Sequence, residues 1–231
     1  MNEIYAFGDS ILKGIILEDE KYKVCKNRFS NICEEVLNVV IENKAKYGST
    51  IAKGEESFER NLEILDNPNV EYVVLEFGGN DCDFKWQEIS DNPDIEHKPN
   101  VEINDFIKIY TEIIQVIKSK NKKPVLLSLP PIDSQRYINK FFKNLNQENI
   151  LKWMNNNPYF LANWHERYNI EVFKLAINNN ISIIDITSKF LEQKDYSLFL
   201  CEDGIHPNEE GHKLISESIQ EHISKKKIEF H

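Results

Sequence analysis

Three stretches of this sequence, Tyr72–Phe77, Pro124–Leu129 and Ile181–Ile186, are short and nearly unbroken apolar runs rich in Val, Ile and Leu. A strand with one wet face alternates polar and apolar residues. A run without that alternation is covered on both faces, as in a parallel sheet between two helical layers. Ile4–Phe7 reads as a further strand, and so does roughly Lys44–Tyr47, although Lys44 and Lys46 interrupt it. Helical patterns separate these runs. The clearest covers residues 102–118, where Ile103, Phe106, Ile107, Tyr110, Ile113, Ile114 and Ile117 recur at spacings of three and four. Pro99 and Asn100 precede it and Pro124 follows it, as breakers should. A last helix starts near Glu209, with Ile215, Ile219 and Ile223 on one stripe. The expectation is an α/β fold with a five-stranded parallel sheet, and chemistry beyond the C-terminal ends of its strands.

The chain has 231 residues, which suits one domain that buries its core without staples. Hydrophobic residues make up 41% and charged residues 29%, ordinary globular usage, so disorder is not expected. A net charge of −10 counts against nucleic acid, whose binders neutralise phosphates with a basic face, and against anionic membranes. Lys225-Lys226-Lys227 is a short basic cluster that suits the negative end of a helix dipole or a solvated tail. The segment Met1 to Gly8 lacks the basic and apolar regions of a secretory signal, and no run is long enough to span a bilayer. A cytoplasmic location with no stable membrane anchor is therefore expected. Cys25, Cys33, Cys82 and Cys201 show neither CxxC pairing nor zinc-like spacing, and are expected as reduced thiols. No feature specifies an oligomeric state.

The segment 133–168 is longer than a simple crossover needs and carries Phe141, Phe142, Trp153, Tyr159, Phe160, Trp164 and Tyr168. It is expected to form two or three helices beside the active edge of the sheet, within the same domain. Its aromatic residues are expected mainly to bury that helical subdomain. The alternative is a cap over an acyl chain or sugar ring.

Four local patterns carry chemistry. The first strand ends in Gly8-Asp9-Ser10, which puts Ser10 at a helix N-terminus where free N–H groups favour developing negative charge. The bland alternative is a helix cap by Asp9 or Ser10. The third strand ends in Gly78-Gly79-Asn80-Asp81; Asn80 can donate to an oxyanion, or the four residues are only a turn. Gly48, after the second strand, can offer a backbone N–H, or it opens a helix capped by Ser49 or Thr50. In Asp203-Gly204-Ile205-His206-Pro207, a tight turn lets Asp203 accept from one imidazole nitrogen of His206 and leaves the other to take a proton from Ser10. Here too a capping turn with a surface histidine is the alternative. Taken together, the patterns supply a nucleophile, a base, an orienting acid and oxyanion donors, the set that serine acyl transfer requires.

These blocks resemble the SGNH, or GDSL, hydrolase superfamily. Its first block matches Gly8–Ser10, its second Gly48, its third Gly78–Asp81 and its fifth Asp203–His206, in the family's order and across nearly the whole chain. The family's usual Leu-Thr after the serine is Ile11-Leu12 here, which leaves the subfamily open. The resemblance implies a three-layer α/β/α sandwich of flavodoxin-like topology. It also implies a catalytic triad of Ser10, Asp203 and His206, and an oxyanion hole formed by Ser10 N–H, Gly48 N–H and the Asn80 side chain. It implies small-molecule ester substrates, with no cofactor and no metal.

Two other functions are compatible with these residues. A metal-dependent phosphoesterase would draw ligands from Asp9, Asn80, Asp81, Asp203 and His206, but the first strand lacks a paired Asp-x-His. A non-catalytic binding module on the same fold would not need the full set of reactive residues. Neither a P-loop nor a dinucleotide glycine pattern occurs. Cys82 and Cys201 flank the motifs but have no histidine motif of their own, so core or loop thiols are expected. His165 is expected as a partly exposed surface histidine.

Overall fold

A computed structural model describes residues 3–157 and 159–228, with side chains as far as Lys225. In chain order the elements are β1 (Glu3–Gly8), α1 (Ser10–Lys13), β2 (Ile15–Glu18), β3 (Lys21–Val24), α2 (Phe29–Leu37), β4 (Val40–Asn43), α3 (Ile51–Glu59), β5 (Val70–Glu76), α4 (Trp86–Asp91), α5 (Ile103–Ser119), β6 (Lys123–Leu127), α6 (Ser134–Phe141), α7 (Gln147–Trp153), α8 (Phe160–Asn179), β7 (Ser182–Ile184), α9 (Ile186–Leu191) and α10 (Glu209–Ile228). Short 3-10 helices cover Leu62–Asp66 and Tyr196–Phe199.

Five strands form one sheet in the order β4-β1-β5-β6-β7, every neighbouring pair parallel. Successive strand side chains point to opposite faces. Phe7, Val73, Leu75 and Leu126 therefore join one core with α3, α5 and α8. Ala6, Val125, Leu127 and Ile184 join the other with α1, α2, α9 and α10. This is the three-layer α/β/α sandwich, and its strand order is the flavodoxin-like one. The predicted stripe of α5 buries Phe106, Tyr110, Ile113, Ile114 and Ile117 against the sheet.

The second strand lies at Val40–Asn43, not Lys44–Tyr47. It is an edge strand, half-buried throughout, so its apolar signal is weak. The chain nevertheless continues beside β1 past its end, because Lys44 N donates to Ala6 O and Lys46 N to Gly8 O. The antiparallel hairpin β2–β3 is an addition that apolar periodicity did not announce. Asp19 and Glu20 form its two-residue turn with φ of 50° and 60°, the left-handed pair that matches strand twist.

Segment 133–168 forms α6, α7 and the first half of α8, but that third helix does not stop there. It runs on to Asn179 as the crossover from β6 to β7. A third apolar cluster joins these helices to α4 through Phe84, Trp86, Ile89, Tyr137, Phe142 and Ile150. No helix among the described residues is long and apolar enough to cross a membrane. Lys225 lies in α10, whereas the side chains of Lys226 and Lys227 fall outside the described residues.

Candidate active site

In the order β4-β1-β5, the strands that carry the three N-terminal motifs are neighbours, and β1 is where the sheet's connections reverse direction. The loops leaving such a switch point diverge to either side and open a crevice at the strand ends. Gly48 follows β4, Ser10 follows β1, and Asn80 follows β5. All three line one cavity of about 350 Å³, together with His206.

Ser10 is the first residue of α1, where the backbone N–H has no intrahelical partner. Asp9 is the N-cap and accepts from Ile11 N at 2.9 Å. The capping alternative is thus true of Asp9 and leaves the Ser10 hydroxyl free. That hydroxyl lies 2.9 Å from His206 Nε2, and His206 Nδ1 lies 2.7 Å from Asp203 Oδ2. Asp203 Oδ1 accepts from the N–H groups of Ile205 and His206, both at 3.1 Å. Ser10, Asp203 and His206 are all buried. Burial opposes ionisation of Asp203, but the hydrogen bond and charge of His206, with the two N–H donors, outweigh it and lower its pKa.

Gly204 shapes this turn. Its φ is +77°, and an added Cβ would meet Asp133 O at 2.4 Å. Asp133 N donates to Gly204 O in the same contact. Arg136 Nη1 donates to Ser197 O and Leu200 O, tying α6 to the segment that leads into the turn.

Asn80 Nδ2 donates to Asp9 Oδ2 at 2.9 Å, so the first and third motifs touch directly. Gly48 has φ +68° and open space where a Cβ would stand. Neither Ser49 nor Thr50 caps α3 with its side chain. Ile51 N instead donates to Asp81 Oδ1 at 2.7 Å, so the loop after β5 holds the loop after β4. Burial raises the Asp81 pKa to about 8.

Beneath Ser10 lies a group absent from the motifs. Glu76, at the end of β5, is fully buried; its Oε2 accepts from Asp9 N at 3.4 Å and Leu12 N at 3.3 Å. Burial raises the pKa of both Asp9 and Glu76, and the charge of Asp9 pushes Glu76 further up. Two tyrosines were likewise invisible as site residues. The Tyr47 ring stacks on His206 at a centroid distance of 6.0 Å and 10°, and Tyr22 of the hairpin meets the same imidazole at 5.3 Å. A two-residue turn between short alternating runs was the only sequence signal for Tyr22.

His165 corrects the surface expectation. It is 6% exposed, lines the cavity, and burial lowers its pKa to about 4. Phe141 and Trp164 also line the cavity, whereas Tyr168 is buried in the main core and Trp153 packs against the third cluster. Asp83, in the cavity wall, accepts at one oxygen, Oδ1, from Phe84 N, Trp86 Nε1 and Tyr137 Oη. The four cysteines are free and buried. Burial raises Cys82 well above the usual thiol range and Cys201 to about 11, so neither supplies a thiolate near neutrality. Among the described residues, no three His, Cys, Asp or Glu side chains converge where they could hold an ion.

The sequence matches the model of the GDSL-like Lipase/Acylhydrolase family over residues 6–214. No curated protein matches it by sequence. A lipase/acylhydrolase from Enterococcus faecalis has a similar structure, with a TM-score of 0.71 and 19% identity over 98% of this chain and 97% of that one. A member of the lipolytic G-D-S-L family from Veillonella parvula superposes with a TM-score of 0.62 at 19% identity, covering 96% and 97%. An acetylxylan esterase from Geobacillus stearothermophilus gives 0.65 at 15% identity, covering 94% and 92%. These likenesses establish a shared fold, and the family match takes in all four motifs: the chain belongs to the GDSL-like lipase/acylhydrolase family of hydrolases.

Proposed function

We propose that this protein hydrolyses carboxylic esters through an acyl-enzyme on Ser10. The observation that carries the reading is the continuous hydrogen-bonded chain from Asp203 through His206 to Ser10, at 2.7 and 2.9 Å, facing the cavity. His206 takes the Ser10 proton as Oγ attacks the ester carbonyl, and returns it to the leaving alcohol. Water then repeats the sequence on the acyl-enzyme and releases the acid. Ser10 N–H, Gly48 N–H and the second N–H of Asn80 hold the oxyanion, while Asp203 keeps the imidazole in the required tautomer.

The cavity favours an ester with hydroxyls on the group that fills it. Its walls are largely apolar and aromatic, with Phe84, Trp86, Tyr137 and Trp164 among them. Two polar groups in those walls have capacity to spare. Asp83 Oδ2 has no donor among the described residues, and neither does the neutral ring of His165 have a partner. A hydroxyl both donates and accepts, so it satisfies each of them. The name of the Geobacillus protein, an acetylxylan esterase, agrees with an acyl-sugar substrate. A cytoplasmic enzyme without a membrane anchor or nucleic-acid partner remains our expectation.

A fluorophosphonate probe should label Ser10 and spare the Ser10→Ala variant, with hydrolysis lost in parallel. A panel of acetylated sugars against plain acyl esters then ranks the substrates. Asn80→Ala should lower kcat by about 10²–10³. Activity that survives Ser10→Ala and vanishes with chelator would replace this reading with the metal-dependent phosphoesterase. No labelling of Ser10 and no turnover of any ester would favour the binding module.

A further inference from the structure

Two carboxyl groups, Asp9 and Glu76, lie together under the first turn of α1, 1% and 0% exposed. Their surroundings hold little compensating charge. Leu12 N of α1, Asn80 and Asp81 of the loop after β5, Tyr110 of α5, and His206 face them. No Lys or Arg among the described residues pairs with either one. Two adjacent buried anions without a cation are strongly disfavoured, so such a pair keeps one proton.

Hydrogen bonding shows which group holds it. Asp9 accepts at both oxygens, from Ile11 N and from Asn80 Nδ2. This is the environment of a carboxylate. Glu76 uses Oε2 for Asp9 N and Leu12 N, while its Oε1 is buried with no partner donating to it. As a carboxylate, Glu76 would leave that oxygen a buried acceptor with no donor, which is strongly disfavoured. As an acid, it supplies the proton for the side-chain hydrogen bond between Glu76 and Asp9.

We propose that Glu76 is a neutral carboxylic acid that donates to Asp9 and so acts as a positioning residue for Asn80. The Asp9 carboxylate, fixed by Glu76, orients the Asn80 amide with its nitrogen inward. One N–H is held by Asp9 and the other is presented to the cavity. Loss of the Glu76 proton would put a second negative charge beside Asp9, break the pairing and release the amide. The positioning role rests on the esterase reading; the protonation state does not.

Three measurements on the full chain test this. In D2O at neutral pH, the infrared difference between the parent and Glu76→Gln should contain the C=O stretch of a protonated carboxyl group. Its absence would overturn the proposal. Glu76→Gln preserves a neutral acceptor-donor pair and should keep kcat on p-nitrophenyl acetate within about threefold. Glu76→Met, confirmed folded by its melting curve, should lose about 10²-fold in kcat with KM little changed, as when an oxyanion donor is removed. Equal losses in Gln and Met, or no loss in Met, would refute the positioning role. The Asn80 side-chain amide resonances should keep one exchange-protected proton in the parent and Gln protein and lose it in Met. If the parent hydrolyses no ester, the esterase reading fails, while the infrared and amide signals still decide the state of Glu76.

Discussion

At the scale of single residues, the imidazole of His206 is held from three directions. Asp203 binds Nδ1, Ser10 binds Nε2, and the adjoining rings of Tyr47 and Tyr22 pack against it from one further side. A base that must swing neither toward solvent nor out of line with Oγ gains from that confinement, because small misplacements cost large factors in rate. Tyr22→Ala should therefore lower kcat on a small ester by about 10-fold or more and leave substrate affinity less affected. Unchanged turnover in steady-state assays would remove the ring from this role. The residues of Asp203–His206 were legible in the sequence because they sit three apart on one turn. Tyr22 was not, since it reaches the imidazole only through a hairpin whose turn lacks the usual Asn-Gly signal.

At the scale of elements, the site depends on two loops held together by one carboxyl. Asp81, after β5, accepts from Ile51 N at the start of α3 and so fixes the Gly48 loop after β4. Its folded pKa, about 8, lies above the unfolded 3.8. The native state therefore binds more protons between those values, and stability falls as pH rises through that window. The full effect is on the order of 5 kcal/mol. Asp81→Asn keeps the acceptor and cannot ionise. Its melting temperature should match the parent near pH 4 and exceed it by a growing margin up to about pH 8, as thermal scans at both values can check. Parallel curves would mean that Asp81 is already ionised in the folded protein. The sequence suggested Ser49 or Thr50 as the cap; the actual partner comes from another loop, a distance that local capping rules do not cover.

At the scale of the whole molecule, the same low dielectric that raises carboxyl pKa values lowers those of buried histidines. His212 of α10 is fully buried, lies against the Phe29 ring of α2 at 5.8 Å, and has no partner at either ring nitrogen. Burial lowers its pKa from 6.5 to about 4. Here the unfolded state binds more protons between pH 4 and 6.5, so stability falls as pH drops through that window, by on the order of 3 kcal/mol. This gradient opposes that of Asp81 below pH 6.5, so the comparison is between variant and parent at each pH. His212→Leu should lose less melting temperature than the parent on going from pH 7 to 5. An identical loss in both would show that His212 is solvated.

The fold class, the long helix α5 and the chemistry-bearing motifs were determined by the sequence itself. Apolar periodicity reports which faces are covered, and each motif is a short segment at a strand end or turn. Tertiary structure decided everything that depends on distant segments meeting. Ser10 and His206 come from opposite ends of the chain, Asp9 and Glu76 from neighbouring strands, and Ile51 and Asp81 from two loops. Protonation followed the same division. Glu76, Asp81, His165 and His212 are ordinary ionisable residues in the sequence, and only burial among specific neighbours makes each neutral. Desolvation acts on a group's surroundings in space, and local sequence does not specify those surroundings.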